Sequence, residues 1–127
     1  MRRPEASADL VETGLRCGVA VGLAPWAEAV DGLRSELVIS TAPSGAADLL
    51  AAAVPTSPGA FMDVVYEPWP TPLARAWSEA GGVVVGGLDL LVHQAALQVM
   101  AMTGCDATAA ELVAVMRPAG KAELAAG

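Results

Sequence analysis

The sequence contains few aromatic residues, and this shortage limits how its core can be built. Phe, Trp and Tyr make up 4% of the 127 residues, whereas apolar residues make up 54%, most of them Ala, Val and Leu. The core must therefore consist of small and branched aliphatic side chains. Such a core suits an α/β protein, whose parallel strands are buried on both faces. The length fits one domain or part of one.

Positive charge is also scarce. Seven Lys and Arg residues stand against 14 Asp and Glu residues, and the net charge is −7. No basic cluster is larger than Arg2-Arg3, so neither nucleic acid nor an anionic membrane is expected as the main partner, because both bind concentrated Lys and Arg. A single phosphorylated small molecule needs only one or two well-placed cations and stays compatible with this charge.

Cysteines and long apolar runs are few. Cys17 and Cys105 lie far apart without a CxxC pattern, so no metal site or disulfide framework is expected, and reduced cytoplasmic thiols are the simpler interpretation. The N-terminus lacks the apolar segment of a signal peptide. The most apolar window, residues 83–102, contains four polar side chains and predicts a strand and a helix rather than a membrane span: Asp89, His93, Gln94 and Gln98.

The spacing of apolar residues and chain breakers predicts strands that alternate with helices. Strands are predicted at 19–23, 36–40, 61–65 and 83–85, and helices at 4–17, 46–53, 72–80, 88–102 and 109–116. Residues 25–33 are predicted to be irregular or a short helix. Thr71 and the pair Thr108 and Glu111 carry helix-capping patterns. Pro118 and Gly120 are expected to end the last helix.

This alternation predicts a parallel sheet with helices on both faces. A dinucleotide-binding domain, however, begins with a strand and a glycine-rich phosphate loop. The chain begins instead with a predicted helix and contains no GxGxxG pattern, since the GGVVVGG stretch at 81–87 has the wrong spacing.

The predicted helix at 88–102 carries the first candidate site. Six apolar residues form one stripe expected to face the core: Leu88, Leu91, Val92, Ala95, Val99 and Met102. Gly87, Leu90, Gln94 and Leu97 form another row, in which the glycine lets a ligand approach closely and Gln94 offers a donor and an acceptor. From spacing alone, a surface glutamine and a simple turn remain the alternative. Asp89 and His93 form either a general base with its carboxylate or a solvated helix contact.

Two further candidates follow predicted strands, where ligands gather in open α/β sheets. Tyr66 ends one strand and is either a ligand-binding hydroxyl or an aromatic plug under a loop. Thr41, Ala42 and Pro43 follow another and form either a cofactor-lining turn or an ordinary one.

Four stretches together resemble the carboxyl-terminal half of shikimate dehydrogenases. FMDVVYEP at 61–68 with TPL at 71–73 is similar to the family pattern D-x-x-Y-x-P-x-x-TPL, and GLDLLVHQA at 87–95 to G-L-x-M-L-V-x-Q-A. VISTAP at 38–43 resembles the strand and turn that end in N-x-T-P. RRPE at 2–5 resembles the segment with the NADP-selecting arginine. Their order and spacing match over nearly the whole chain.

The resemblance implies the NADP-binding, Rossmann-like domain of an enzyme that interconverts 3-dehydroshikimate and shikimate by hydride transfer. Tyr66 and Gln94 would then contact the substrate. Arg2 or Arg3 would pair with the cofactor's 2′-phosphate, because arginine accepts that group. The remaining cofactor contacts would line the adenosine side, at Thr41, Ala42 and Pro43, and the nicotinamide end, at Gly87 and Leu90. Ser40 stands where the family has Asn, and Leu90 where it has Met.

The resemblance also implies absences. The substrate domain with its catalytic lysine and aspartate, and the first two strands of the cofactor domain, would precede residue 1, so no catalytic residue is assigned here. We expect a partial cofactor domain at 1–104, a closing helix and tail at 105–127, a cytoplasmic location, and a missing domain or second copy as partner. We therefore expect a truncated product or a mis-started reading frame. The chain alone should be marginally stable or should aggregate, because unpaired strand edges flank the gap left by the missing strands. A non-catalytic nucleotide-binding module and a quinate or aminoshikimate enzyme are the alternatives.

Overall fold

Three short parallel strands form the centre of the computed structural model, which describes residues 7–126. They are β1 (Leu37–Ser40), β2 (Ala60–Asp63) and β3 (Val83–Val85), and they lie side by side in that order. All pairs are parallel, and the register aligns Val38 with Phe61 and Phe61 with Val84. The predicted fold class, an incomplete Rossmann-like parallel sheet with flanking helices, is confirmed.

Five α-helices surround or extend this sheet: α1 (Ala8–Arg16), α2 (Ala29–Gly32), α3 (Pro72–Glu79), α4 (Gly87–Thr103) and α5 (Ala109–Ala126). Short 3-10 helices lie at Trp26–Glu28 and Asp48–Ala53. The capping predictions are confirmed. The Thr71 hydroxyl accepts a hydrogen bond from the Ala74 amide at 3.2 Å, with Pro72 in the first turn. Gly104, at a φ of 64°, ends α4 in the left-handed conformation that glycine adopts without a steric penalty.

The core lies on one face of the sheet, under α3. Phe61 and Trp77 are completely buried, and their rings stack with centroids 5.0 Å apart. The Trp77 indole N–H donates to the Gly59 carbonyl oxygen at 2.9 Å, so this large side chain leaves no buried donor unsatisfied. Leu33 and Leu73 complete the centre of the cluster. Tryptophan therefore supplies the volume that the small aliphatic residues lack.

The other face of the sheet and its β1 edge are more open. Leu37 and Ile39 are 56% and 55% exposed, and Val83 is 67% exposed. The carbonyl oxygens of Glu36 and Ser40 accept hydrogen bonds from β2 and the residue after it, so the alternate residues Leu37 and Ile39 turn their backbone groups away from β2. No strand among residues 7–126 pairs with that edge.

The predicted strand at 19–23 is wrong. After α1, Gly18 takes a φ of 71°, and the chain continues without regular structure to Pro25. Val19 is 56% exposed. A strand needs a neighbour to pair with, and within the described part of the chain this segment has none; Val21 packs instead against Gly14 of α1.

The predicted end of the last helix is also wrong. α5 continues through Pro118 to Ala126. A proline inside a helix removes one hydrogen bond, but packing against α4 compensates, since Gly120 approaches Leu88 closely.

On α4, the predicted core stripe is only partly correct. Val92 and Ala96 are buried, whereas Met102 is 85% exposed. The buried face of α4 is set by α5, its main packing partner, rather than by the sheet.

The open edge leads to a prediction about self-association. Ile39→Lys should reduce concentration-dependent association, because an inserted charge blocks strand pairing along an unpaired edge. At 55% exposure the change in the free energy of unfolding should stay within about 0.5 kcal/mol. Sedimentation velocity over a concentration series measures the association. Leu49→Lys, at a residue that is 94% exposed but off the sheet, is the matched control. Equal association of wild type and Ile39→Lys would contradict the prediction.

The start of α5 leads to a prediction about pH. Hydrogen bonds from the Thr108 backbone and side chain to the carboxylate hold the pKa of Glu111 below its usual value of 4.5. A lowered pKa contributes stability at higher pH, and this contribution is lost as the pH falls through the folded-state pKa. Below pH 4.5 the wild type should therefore lose more helix content, measured by circular dichroism, than Glu111→Gln. Glu123→Gln, on the exposed side of the same helix, should behave like wild type; parallel losses in all three would count against this role.

Candidate functional site

The turn after β1 opens onto a large cavity. Thr41, Ala42 and Pro43 line it together with β1 and α2, and its volume is about 840 Å³. This is within the size range of small-molecule sites. Because the cavity runs along the open edge of β1 as well as its carboxyl end, part of its volume belongs to that unpaired edge. The three residues predicted to line the adenosine side thus lie together on one wall.

A buried polar link connects the end of β2 to the start of α3. Asp63 is 2% exposed and Thr71 5%. The Thr71 hydroxyl donates to one Asp63 carboxylate oxygen at 3.0 Å, and the Val65 amide donates to the other at 3.2 Å. Asp63 therefore fixes the direction in which the chain leaves β2, directly before Tyr66.

Tyr66 lies in the loop after β2 and is 46% exposed. It lines a cavity of about 440 Å³ together with Trp69 of its own loop, Gly86 and Leu88 at the start of α4, and Arg117 and Lys121 of α5. The neighbouring Glu67-Pro68 and Trp69-Pro70 peptide bonds are cis. The phenol can donate and accept a hydrogen bond at the carboxyl end of the sheet, where the sequence placed it.

The first turn of α4 lies directly against the end of β2. Gly87 is buried, its amide donates to the Val65 carbonyl oxygen at 3.2 Å, and a side chain at this position would collide with the Val64 backbone. The sequence pattern explained this glycine by the close approach of a ligand. The close approach of the Val64 backbone already requires a glycine here, and a cofactor contact stays a prediction.

Leu90 and Gln94 lie one helical turn apart on α4 but in different surroundings. Leu90 is half-buried and lines a second cavity of about 440 Å³ with Met62 and Val85. Gln94 is exposed and lies outside the cavities of Tyr66 and Leu90. The described structure thus does not bring the two predicted substrate residues into one cavity, and any shared ligand must span the distance between them.

Sequence reasoning missed Arg117. Its guanidinium Nη2 lies 2.9 Å from the Asp89 carboxylate and 3.4 Å from Nε2 of His93. Asp89 and His93 therefore form neither an isolated catalytic pair nor a purely solvated contact, because a cation from α5 joins them. The four-residue spacing of Asp89 and His93 was the available signal for a partner. Because the last helix was predicted to end before Pro118, Arg117 was not placed on a helix that packs against α4.

Several expectations concern groups that the structure does not bring into the site. Arg2 and Arg3 lie outside the described residues. Within residues 7–126, no group of His, Cys, Asp and Glu side chains is arranged to hold a metal ion. None of the helices in that range is both long and apolar enough to cross a membrane.

The buried Asp63 and Thr71 pair leads to a stability prediction. Thr71→Val removes a helix cap and the hydroxyl partner of a buried carboxylate, and should cost about 2–4 kcal/mol of unfolding free energy. Thr71→Ser keeps the hydroxyl and should cost less than about 1 kcal/mol. Urea unfolding followed by tryptophan fluorescence compares the two variants. Equal midpoints would show that the hydroxyl does not support the loop.

Comparison with known proteins gives one family name. No protein-family model matches the chain. A shikimate dehydrogenase (NADP(+)) from Synechococcus sp. (strain JA-2-3B'a(2-13)) is 41% identical over 70 residues, which are 54% of this chain and 23% of the relative. The shikimate dehydrogenase (NADP(+)) of Desulfitobacterium hafniense (strain Y51) is 31% identical over 99 residues, which are 73% of this chain and 35% of the relative.

Solved structures agree. Mycobacterium tuberculosis shikimate dehydrogenase superposes with a TM-score of 0.75 at 39% identity, covering 93% of this chain and 44% of that one. A shikimate 5-dehydrogenase from Mycobacterium fortuitum gives a TM-score of 0.72 at 36% identity, covering 89% and 43%. The chain spans less than half the length of each of these relatives. Sequence and fold thus confirm the predicted resemblance: over most of its length, the chain is a relative of part of a shikimate dehydrogenase.

Proposed function

We propose that the chain is part of an NADP-dependent shikimate dehydrogenase, which interconverts 3-dehydroshikimate and shikimate in aromatic amino-acid biosynthesis. The observation that carries this proposal is the convergence of three elements at the carboxyl end of the sheet: the turn at 41–43, Tyr66, and the first turns of α4. Ligands of open α/β sheets bind at that end. The named relatives support the choice of reaction.

In this proposal, NADP lies across the carboxyl ends of the strands. The cavity beside Thr41, Ala42 and Pro43 fits the adenosine side in size and apolar character. The cavity beside Leu90, Met62 and Val85 lies on the β3 side of the sheet and fits a flat, weakly polar ring. Gly87 would contact the nicotinamide end of the cofactor there. NADP supplies the hydride acceptor or donor when bound, while this chain binds and orients it.

The substrate contacts are assigned to Tyr66 and Gln94. The Tyr66 hydroxyl and the Gln94 amide are exposed hydrogen-bonding groups, and neither side chain is engaged by a hydrogen bond within the described part of the chain. They are therefore free to bind the hydroxyl or carboxylate groups of a polar substrate. Their separate surroundings fit residues that meet the substrate from one wall of a cleft.

No residue of this chain is assigned to proton transfer. Lys121, the single lysine, lies on α5 and lines the cavity of Tyr66 together with Glu67 and Asp89. In the proposal, residues 1–104 form the partial cofactor domain and residues 105–127 the closing helix and tail. A substrate-binding domain, or a second copy of the chain, is the partner that completes the cleft, and the cytoplasm is the compartment.

Cofactor binding by the purified chain tests the proposal. NADP should bind more tightly than NAD, and Arg2→Ala or Arg3→Ala should weaken NADP binding by about 10- to 100-fold, because a charge-assisted pair with the 2′-phosphate is lost. Isothermal titration measures both affinities. Arg75→Ala, on the exposed surface of α3, is the matched control and should leave binding unchanged.

The outcomes separate the alternatives. Absence of NADP binding would overturn the cofactor assignment. Binding with neither reduction of NADP⁺ nor oxidation of NADPH, even after co-expression with a substrate domain of a relative, would favour a non-catalytic nucleotide-binding module. Faster turnover with quinate than with shikimate in that co-expressed form would assign the quinate reaction instead.

A further inference from the structure

A single side chain on α5 joins two groups on α4. Arg117 places Nη2 2.9 Å from an Asp89 oxygen and 3.4 Å from Nε2 of His93. Asp89 and His93 are four residues apart, one helical turn, so the guanidinium bridges successive turns of the same helix face. The bridge spans the junction between the closing helix and the helix that carries Gly87, Leu90 and Gln94.

The contact has one possible hydrogen-bond direction. A guanidinium has only donors, so in a hydrogen bond Arg117 donates and Nε2 of His93 accepts, with the ring proton on Nδ1. An Arg117–His93 hydrogen bond therefore corresponds to one tautomer of the ring, which can be measured.

Arg117 also lies between the two smaller cavities. It lines the cavity of Leu90, Met62 and Val85 and the cavity of Tyr66 and Gly86. Its Nε atom is buried and makes no hydrogen bond with any described residue. One arginine therefore forms a wall common to the cavity assigned to the nicotinamide end and the cavity beside the substrate tyrosine.

Stability alone does not account for this arrangement. The side chains of Arg117 and Asp89 are 40% and 39% exposed, and ion pairs this exposed contribute little to folding because water screens them. The bridge does, however, fix orientation. Asp89 and His93 flank Leu90 in sequence, so holding both of them fixes the turn that presents Leu90.

We propose that Arg117 is a positioning residue of the nicotinamide site: by bridging Asp89 and His93 it holds the first two turns of α4 in the orientation that presents Leu90 and Gly87. This inference rests on the proposed function, and it extends the site to α5, which the sequence marked only as a closing helix. Arg117 acts through α4 and is not assigned a contact with the reacting atoms.

Two probes separate positioning from a general structural role. NADPH occupies the whole proposed site, whereas adenosine 2′,5′-bisphosphate carries only the adenosine half. Arg117→Met should weaken NADPH binding by about tenfold, a typical effect of a residue that acts through its neighbours, and should leave adenosine 2′,5′-bisphosphate binding unchanged. Arg75→Met is the matched control and should bind both probes like wild type.

A spectroscopic measurement follows the bridge directly. The chain has one histidine, so long-range proton–nitrogen NMR correlations of the imidazole report His93 without overlap. Wild type should show the Nδ1-protonated tautomer, and Arg117→Met should shift toward the Nε2-protonated form. Asp89→Asn, which keeps Arg117 but weakens its anchor, should give a smaller NADPH defect in the same direction and guards against misfolding of the first variant.

Each outcome decides the inference. Selective loss of NADPH affinity together with the tautomer change supports it. Equal loss of both probes would assign Arg117 a purely structural role, and unchanged NADPH binding would remove it from the site, while both results leave the proposed function intact. Binding of neither probe by the wild type would overturn the proposed function and this inference with it.

Discussion

The alignment of three strands by one row of apolar side chains determines where everything else in the molecule lies. Val38, Phe61 and Val84 occupy equivalent positions across the sheet, and Trp77 packs on the central ring. Because the strands are parallel and in register, they all end at one edge, and the segments that follow them emerge side by side. The turn at 41–43, Tyr66 and α4 are neighbours for this reason, although they are far apart in sequence.

The strands and helices with strong local signals could be predicted from the sequence. Continuous apolar strands such as 83–85, the Thr71 cap and the Thr108 capping box depend on neighbouring residues, and the structure reproduces them. The errors arise where distant contacts decide. The segment at 19–23 has strand-forming residues but no partner strand in the described chain, and α5 passes Pro118 because α4 supports it.

The residues of the candidate site divide in the same way, into those with a local sequence signal and those that depend on distant contacts. The positions of Tyr66 and of the turn at 41–43 after strands were predictable, since a strand's carboxyl end is visible in sequence. Arg117 was not, because an ion pair between helices 28 residues apart leaves no periodic pattern. Asp63 belongs to the sequence motif, but the sequence does not show why an aspartate stands there. The structure gives the reason, since the Thr71 hydroxyl and the Val65 amide both donate hydrogen bonds to its carboxylate.

The contact between Gly87 and β2 has a consequence for how the site responds to sequence change. The helix origin rests on main chain against main chain, with no side chain between Gly87 and Val64. This contact fixes the start of the helix, whereas the orientation of the turns that follow depends on α5 and the Arg117 bridge. Replacing Leu90 reshapes the adjoining cavity while the start of the helix stays in place, so ligand preference beside Met62 and Val85 can change by a single substitution without rebuilding the backbone.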